Sequence, residues 1–571
     1  FLTETDSQKT QIEKLKTDNK INLDATADVT LNNLLDKYDL LEYNCASCGY
    51  VYQGDISTEK DDYVCPECGA AKSQFTLADR TMARKIAGVR YQMEVYGSNA
   101  SNPYTFSKDI PIDVVVKIRE YSQQMPGVEI KETTSRRYVD GTLAPHAVGV
   151  VGSINAEEYE AENAQILEQI KEEHPDWTEE QINELYQEQK YGYNDIIGKS
   201  GLEYAMEDEL RGERGKKRIT TDAQGNVLST EIIKQAVPGN TIVTTLDKDL
   251  QRAALEGSAE FLEMAKKTYS PEEGGSADRI SVVAQDVKTG EILAMVNYPT
   301  YDLSDYYTKY SELSSDPLHP LINYCTQGIY MPGSIYKPVV GIGALASGVI
   351  DGDTLIDCKQ IYQTGTDYNP RCLGLHGPIN IQYALMVSCN YFFYEAGTRQ
   401  GIDNIVKYSE QLGLGVESGI ELSEATGHVS CPEYYESVRE GQVGGTWTYG
   451  NVLQSSIGQL DNAYTPLQMA NYVATLGNDG TRMRSQLVKS VESYNLEETI
   501  SVTEPEVLNQ VEADQEAFDQ VREGMVRCSR DTTRGSARYY FGDYPIDVAA
   551  KTGTPQASGG DLDATFIAYA P

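Results

Sequence analysis

A long uncharged stretch in the second half of the chain places the tightest constraint on its fold. Residues 339–350 (VVGIGALASGVI) follow directly on the segment MPGSIYKP, which contains Ser334 and Lys337. A Pro-Gly pair ends an extended segment, and an uncharged apolar run of this length predicts a buried helix. Ser334 would lie at the start of that helix, with Lys337 one turn later on the same face.

A serine and a lysine so placed can act as nucleophile and base. A serine hydroxyl is a weak nucleophile until a base takes its proton. Desolvation in an apolar cleft lowers the pKa of a lysine ammonium, and the N–H groups of a helix start favour negative charge beside Ser334. Alone, the Ser-x-x-Lys pattern arises often by chance and indicates only an ordinary buried helix start.

Two further motifs change this interpretation. Ser388-Cys389-Asn390 follows, and Lys551-Thr552-Gly553-Thr554 lies near the C-terminus. Ser-x-x-Lys, Ser-x-Asn and Lys-Thr-Gly in this order are the set found in penicillin-binding proteins and serine β-lactamases. The wider text YMPGSIYKP, SCNYFF and AAKTGTPQ resembles the class B penicillin-binding proteins, which are peptidoglycan transpeptidases, and among them the elongation-type penicillin-binding protein 2 group.

The resemblance implies an α+β multidomain fold. An elongated, non-catalytic pedestal of the dimerisation-domain kind, residues 1–237, would precede a transpeptidase domain, residues 238–571, whose antiparallel sheet is flanked by helices. Relatives carry an N-terminal membrane anchor and continue beyond the last residue here. We therefore expect a trimmed chain whose domains belong on the extracytoplasmic side of a bacterial cell membrane.

The catalytic segment has three local patterns. Residues 237–262 predict a strand, a turn and a helix with Leu250, Ala254 and Leu255 facing inward. Apolar runs at 280–284 and 291–296 flank Thr289-Gly290 and predict a β-hairpin. A late strand pair is expected at 546–554 and 564–570, with Lys551 on an edge strand facing the cleft.

The family resemblance implies a role for each motif residue in acyl transfer. Ser334 would attack the penultimate D-Ala carbonyl of a donor stem peptide, and Lys337 would accept its proton. Ser388 would relay a proton to the leaving D-Ala beside Lys551, and Asn390 would orient Lys337 and the substrate amide. An acceptor amine would then release a cross-link, whereas β-lactams would acylate Ser334 stably.

The same resemblance implies how the substrate is held. Thr552, Gly553 and Thr554 would form the substrate-binding strand, with the two threonine hydroxyls and Lys551 on the terminal carboxylate. The N–H groups of Ser334 and Thr554 would hold the tetrahedral oxyanion.

A separate unit at residues 43–75 contains two C-x-x-C-G sequences, CASCG at 45–49 and CPECG at 65–69. Each predicts a tight turn, with Gly49 and Gly69 permitting positive φ, and four thiolates suit one tetrahedral metal ion. The ligands would be Cys45, Cys48, Cys65 and Cys68. The text CGYVYQGD…VCPECGAAKSQF resembles rubredoxin, which implies iron and a redox role. A structural zinc or iron staple is favoured because no redox partner is visible; disulfides stay open.

A second group consists of Cys358, Cys372, His376 and Cys389, the last lying inside the Ser-x-Asn motif. Some elongation-type relatives hold zinc there with similar ligand spacing, and three sulfurs with one imidazole suit that ion. A Cys358–Cys372 disulfide is the alternative. We expect no organic cofactor.

The net charge of the chain limits the classes of molecule that it can bind. The net charge of −38 argues against nucleic acid and against anionic membrane surfaces. The resemblance implies a membrane glycosyltransferase and cell-wall elongation or division proteins as partners. Two rival functions remain: a serine β-lactamase, and a non-enzymatic sensor or scaffold that binds β-lactams or peptidoglycan.

Overall fold

The structure is a computed structural model that describes residues 27–570, apart from residues 96, 99–102, 122, 123, 126, 129, 132–134, 194, 222–226 and 557–562. The described chain forms two compact units, one of residues 27–131 and one of residues 135–570. The predicted domain boundary at 237/238 lies within the second unit. This boundary divides the chain by function, into a pedestal and a catalytic segment, and it stays a prediction.

The first unit has a small core. Its elements are α1 (Ala27–Lys37), β1 (Glu42–Cys45), β2 (Val51–Gln53), β3 (Phe75–Leu77), α2 (Thr81–Val95) and α3 (Ile112–Glu120), and the strands form an antiparallel sheet in the order β2–β1–β3. Leu35, Leu41 and Ala87 are the fully buried members of its apolar cluster. So little buried apolar surface contributes weakly to stability, a deficit that metal ions commonly offset in small folds.

The second unit carries many more helices. In chain order they are α4 (Pro145–Val148), α5 (Ala156–Glu173), α6 (Glu179–Gln189), α7 (Gly201–Ala205), α8 (Glu207–Arg211), α9 (Lys248–Thr268), α10 (Tyr310–Ser315), α11 (Tyr324–Gln327), α12 (Lys337–Ala346), α13 (Ile381–Met386), α14 (Asn390–Gln400), α15 (Ile402–Gln411), α16 (Pro432–Ser437), α17 (Tyr449–Ser455), α18 (Pro466–Gly477), α19 (Gln515–Arg530) and α20 (Arg538–Phe541). None of the helices in the described part of the chain has the length and apolar character needed to cross a membrane.

The strands of the second unit pair antiparallel. They are β4 (Val151–Ser153), β5 (Ile196–Gly198), β6 (Lys216–Thr221), β7 (Val227–Lys234), β8 (Thr241–Thr244), β9 (Ile280–Gln285), β10 (Ile292–Tyr298), β11 (Ile356–Cys358), β12 (Gly377–Ile379), β13 (Thr481–Met483), β14 (Val488–Glu492), β15 (Thr499–Val502), β16 (Val507–Gln510), β17 (Ala549–Gly553) and β18 (Thr565–Tyr569). The pairs are β4–β5, β6–β7, β9–β10, β11–β12, β13–β16 and β17–β18, with one three-stranded sheet, β15–β14–β8. The predicted hairpin and the predicted late strand pair are both confirmed.

The uncharged run forms the central helix of the second unit. A 3-10 turn spans Gly333–Tyr336, and α12 follows from Lys337 to Ala346 with its first eight residues buried. Ser334 therefore lies on a tight turn before the α-helix, and the helix ends four residues before Ile350. The predicted buried helix is confirmed, with a shorter C-terminal end.

One of three residues predicted to face inward on α9 does not: Ala254 and Leu255 are half-buried, but Leu250 is exposed. In α9 the predicted inward residue Leu250 is 40% exposed, whereas Gln251 is buried. The Gln251 amide donates to the carbonyl oxygens of Leu143 and Met295 and accepts from the Met295 N–H. These hydrogen bonds favour burial of a polar residue, so the inward placement of Leu250 was wrong.

Candidate active site

Lys337 is held by the Ser-x-Asn motif. Its side chain is fully buried. The ammonium group donates to Ser388 Oγ at 3.0 Å, to Ser388 O at 2.8 Å and to Asn390 Oδ1 at 2.6 Å. Burial, and after it the nearby charge of Lys551, lowers the pKa of Lys337 well below its ordinary value. The site therefore favours the neutral amine that a general base requires.

Lys551 contacts the same hydroxyl as Lys337. It lies on β17, is fully buried, and donates to Ser388 Oγ at 3.0 Å and to Thr552 O at 2.8 Å. Burial lowers its pKa to about 8. Ser388 has a left-handed backbone with φ of +54°, an uncommon conformation for a non-glycine residue that is over-represented at functional sites.

The turn that carries Ser334 packs against the C-terminal end of β17. A Cβ atom on Gly333 would lie 3.0 Å from Pro555 N, and one on Gly553 would lie 2.7 Å from Pro332 O. The Gly553 contact leaves no room for a Cβ atom, and at Gly333 the contact is tight and the φ of +57° favours glycine. The Ser334 hydroxyl makes no hydrogen bond to any other described residue and is partly exposed.

The structure brings the three motifs into one cleft. The turn at Ser334 packs against the end of β17 at Gly553, and Lys337 and Lys551 both contact the Ser388 hydroxyl. Asn390 contacts Lys337 directly. Thr554 follows β17 and is exposed. The catalytic and substrate-binding roles of these residues stay predictions.

Three positioning contacts were missed from the sequence. Thr565 Oγ1 on β18 donates to Pro332 O at 2.9 Å, and the Gly333 N–H donates to Gly458 O at 2.9 Å, so both brace the turn before Ser334. Ser536 Oγ lies 2.8 Å from Thr552 Oγ1. Thr565, Gly458 and Ser536 lie outside the three motifs, and their contacts depend on long-range packing that no local pattern reports.

The cysteine group beside Ser388 forms a compact donor set. The donor atoms of Cys358, Cys372, His376 and Cys389 all lie within 4.8 Å of one another. His376 Nδ1 is 3.5 Å from the Cys358 sulfur and 3.7 Å from the Cys372 sulfur, and the Cys372 and Cys389 sulfurs are 3.7 Å apart. Three sulfurs and one imidazole nitrogen at this spacing fit one tetrahedral zinc ion.

The four-cysteine group of the first unit has the same compactness. Cys45 and Cys68 sulfurs are 3.7 Å apart, those of Cys48 and Cys65 are 3.6 Å apart, and all four lie within 4.8 Å. In both knuckles a glycine with positive φ donates its N–H to the first cysteine carbonyl at 2.8 Å, as predicted. The four sulfurs fit one tetrahedral ion.

The cysteines are all thiols in the structure. None of the ten, each of which lies among the described residues, forms a disulfide. The Cys358–Cys372 disulfide and the disulfides within the knuckles stay alternatives to a metal ion, for which each group offers four donors.

Sequence comparison identifies the family. Residues 280–571 match the penicillin-binding protein transpeptidase domain, and residues 5–244 match the penicillin-binding protein dimerisation domain. The chain belongs to the class B penicillin-binding proteins of the penicillin-binding protein 2 type.

Individual relatives resemble the chain over most of its length. Penicillin-binding protein 2A of Bacillus subtilis is 28% identical over 526 residues, which cover 87% of this chain and 66% of the relative. Peptidoglycan D,D-transpeptidase MrdA of Escherichia coli K12 is 27% identical over 531 residues, which cover 91% of this chain and 76% of the relative. The solved structure of penicillin-binding protein 2 from Helicobacter pylori in complex with MreC shares the fold, with a TM-score of 0.59 at 24% identity, over 76% of this chain and 72% of that one.

Proposed function

We propose that this chain is a serine-type peptidoglycan D,D-transpeptidase that cross-links stem peptides through an acyl-enzyme on Ser334. The observation that best supports this proposal is the arrangement of Lys337 and Lys551. Both lie within 3.0 Å of Ser388 Oγ, near the turn that contains Ser334. The transpeptidase domain and relatives with that activity in their names support the proposal.

In the first half-reaction, neutral Lys337 takes the proton of Ser334, whose oxygen bonds to the penultimate D-Ala carbonyl carbon. The oxyanion is stabilised by the N–H groups of Ser334 and Thr554. The Ser388 hydroxyl then gives its proton to the leaving D-Ala nitrogen as the peptide bond breaks. Protonated Lys337, which donates to Ser388 Oγ, restores the proton on Ser388.

In the second half-reaction, an acceptor amine attacks the acyl carbon and the Ser334–acyl bond breaks. The proton of the amine returns to Ser334 by the reverse route, through Ser388 and Lys337. Asn390 keeps Lys337 oriented in both steps through its 2.6 Å contact. Lys551 and the hydroxyls of the following strand bind the substrate carboxylate.

The test is covalent labelling with penicillin, followed by intact mass measurement beside Ser334→Ala. A stable adduct on the wild type alone supports the proposal. An unlabelled protein with hydrolysed drug would indicate a β-lactamase, and an unlabelled protein with intact drug contradicts the assignment. An adduct on a full-length anchored enzyme that forms no cross-link would favour the sensor or scaffold.

We also propose a metal ion in each cysteine group. Zinc fits Cys358, Cys372, His376 and Cys389, where it would fix the loop that carries Ser388. Zinc or iron fits the four-cysteine group, where it would offset the small core of the first unit. Neither ion takes part in the acyl transfer proposed here.

The proposed setting is the extracytoplasmic face of a bacterial cell membrane. A membrane glycosyltransferase that supplies the glycan strands is the proposed partner, with proteins of wall elongation or division. The Helicobacter pylori penicillin-binding protein 2 forms a complex with MreC, and we propose a contact of this elongation type for the present chain.

A further inference from the structure

The turn between α19 and β17 places a hydroxyl group beside the substrate-binding strand. Ser536 Oγ lies 2.8 Å from Thr552 Oγ1 and 3.0 Å from the sulfur of Cys528. Cys528 is fully buried on α19, whereas Ser536 is exposed. The three groups form a chain from the protein interior to the Thr552 side chain.

The backbone around Ser536 is held firmly. The Ala537 N–H donates to Cys528 O at 3.0 Å, and Ala537 is buried in an apolar cluster with Cys528. A Cβ atom on Gly535 would lie 2.5 Å from Cys528 O, so the turn lies directly on the end of α19. Asp531 Oδ1 accepts the N–H of Thr533 at 2.9 Å and so fixes the start of the turn.

The direction of this hydrogen-bond chain follows from counting protons. Each hydroxyl has one hydrogen to donate. A substrate carboxylate has none, so Thr552 must donate to it and then accepts from Ser536. Ser536 in turn accepts from the Cys528 thiol, since its own hydrogen is used. A bound carboxylate therefore allows only one orientation, with every donor pointing toward the substrate.

We propose that Ser536 is a positioning residue that, with the Cys528 thiol behind it, orients the Thr552 hydroxyl toward the carboxylate of the substrate. This inference rests on the proposed transpeptidase function. It adds two residues outside the three motifs to the recognition of substrates that end in a carboxylate.

The test compares two acylating compounds, penicillin and its methyl ester, which lacks the negative charge. In Ser536→Ala we expect the acylation rate with penicillin to fall about tenfold, because a hydrogen bond to a charged group is weakened, while the rate with the ester changes less than twofold. Ser536→Thr keeps the hydroxyl and should restore the rate with penicillin. Ser315→Ala, an exposed serine whose hydroxyl bonds only within its own helix end, is the matched control.

The outcomes are distinct. An equal fall for both compounds, or no fall for either, would overturn the positioning role and leave the proposed function intact. No acylation of the wild type by penicillin would overturn the proposed function, and the inference with it. Cys528→Ala should show a smaller loss, selective for penicillin in the same way, and Cys528→Ser, which keeps a donor, should not.

Discussion

Lys337 and Lys551 direct their ammonium groups at a single atom, Ser388 Oγ, at 3.0 Å each. A hydroxyl has two acceptor positions and one hydrogen. The two lysines occupy both acceptor positions, so the Ser388 hydrogen is left to donate. Burial lowers the pKa of both lysines, and the nearby charge of Lys551 lowers that of Lys337 further. The arrangement suits proton delivery to a leaving amine.

Replacing Lys337 tests its assignment as the base. In Lys337→Met we expect the rate of acylation by penicillin to fall by about 10²- to 10⁴-fold, the range for loss of a general base. The wild-type rate should rise with pH as the amine loses its proton at a pKa well below its ordinary value. The pH profile of the acylation rate measures this, and a profile shared by wild type and variant would contradict the assignment.

Lys551 should make stability depend on alkaline pH. Its pKa is about 8 in the folded chain and 10.5 in an exposed lysine. Between these values the unfolded chain binds a proton that the folded chain does not, so raising the pH favours folding. The gap corresponds to about 3 kcal/mol. The free energy of unfolding of the wild type, relative to Lys551→Met, should therefore increase from about pH 8 upward.

Urea titrations of both proteins across this pH range provide the measurement. Tyrosine ionisation is common to the two chains and cancels in the difference. If the difference in unfolding free energy between the two proteins stays constant from pH 8 to about 10.5, the pKa of Lys551 is not lowered in the folded chain.

Gly553 and Gly257 form a matched pair of alanine substitutions. A Cβ atom on Gly553 would lie 2.7 Å from Pro332 O and 2.1 Å from Thr565 Oγ1, so Gly553→Ala must push β17 away from the Ser334 turn. We expect acylation to fall at least about tenfold, with a loss of about 1–3 kcal/mol in stability. Gly257 lies at an exposed position of α9 with no atom within 4 Å of an added Cβ, so Gly257→Ala should stabilise by up to about 1 kcal/mol.

The two effects are read from labelling rates and thermal melts of both variants. Unchanged labelling in Gly553→Ala would mean that the close contact between β17 and the turn is not needed for acylation.

Removal of the metal proposed beside Ser388 should slow acylation. Cys389 lies between two residues that contact Lys337, so a ligand lost elsewhere in the group should disturb them indirectly. Cys358→Ser changes a ligand on β11, outside the motif, and we expect loss of one metal ion per chain and a fall of about tenfold or more in acylation. Elemental analysis and labelling rates test this. Loss of the metal ion with an unchanged acylation rate would show that acylation does not depend on the metal.

The four-cysteine group should bind a metal ion independently of catalysis. Cys48→Ser should remove one metal ion per chain and lower the melting temperature of the first unit, because the proposed ion would offset the small core there. Acylation of the second unit should remain unchanged.

Cys431→Ser is the control for this change. Cys431 is the N-cap of α16, a position that serine fills well, and it belongs to neither group. Its metal content should equal that of the wild type. Equal metal content in Cys48→Ser and the wild type would exclude the proposed site.

Local pattern predicted most of the elements that build the site. The apolar run after Ser334, the hairpin at Thr289-Gly290 and the late strand pair followed from hydrophobic patterning, because each buries a continuous apolar face. Leu250 was misplaced since a polar residue, Gln251, occupies the buried face through hydrogen bonds to distant backbone.

The contacts that complete the site were beyond sequence reasoning. The left-handed backbone of Ser388 is imposed by neighbours rather than by a glycine. Thr565 and Ser536 reach the site from segments far away along the chain. Tertiary packing determines such pairings, and the local periodicity of a single sequence does not reveal them.

The Ser388-Cys389-Asn390 tripeptide has consequences for evolution under antibiotic exposure. All three consecutive side chains have partners: Ser388 contacts Lys337 and Lys551, Cys389 contacts the sulfur of Cys372, and Asn390 contacts the ammonium of Lys337. A codon change at Ser388 or Asn390 alters the contacts of Lys337, and one at Cys389 alters the cysteine group. In the proposed mechanism the drug and the natural substrate depend on the same atoms. We therefore expect resistance mutations to accumulate in the loops that border the cleft, leaving this tripeptide intact.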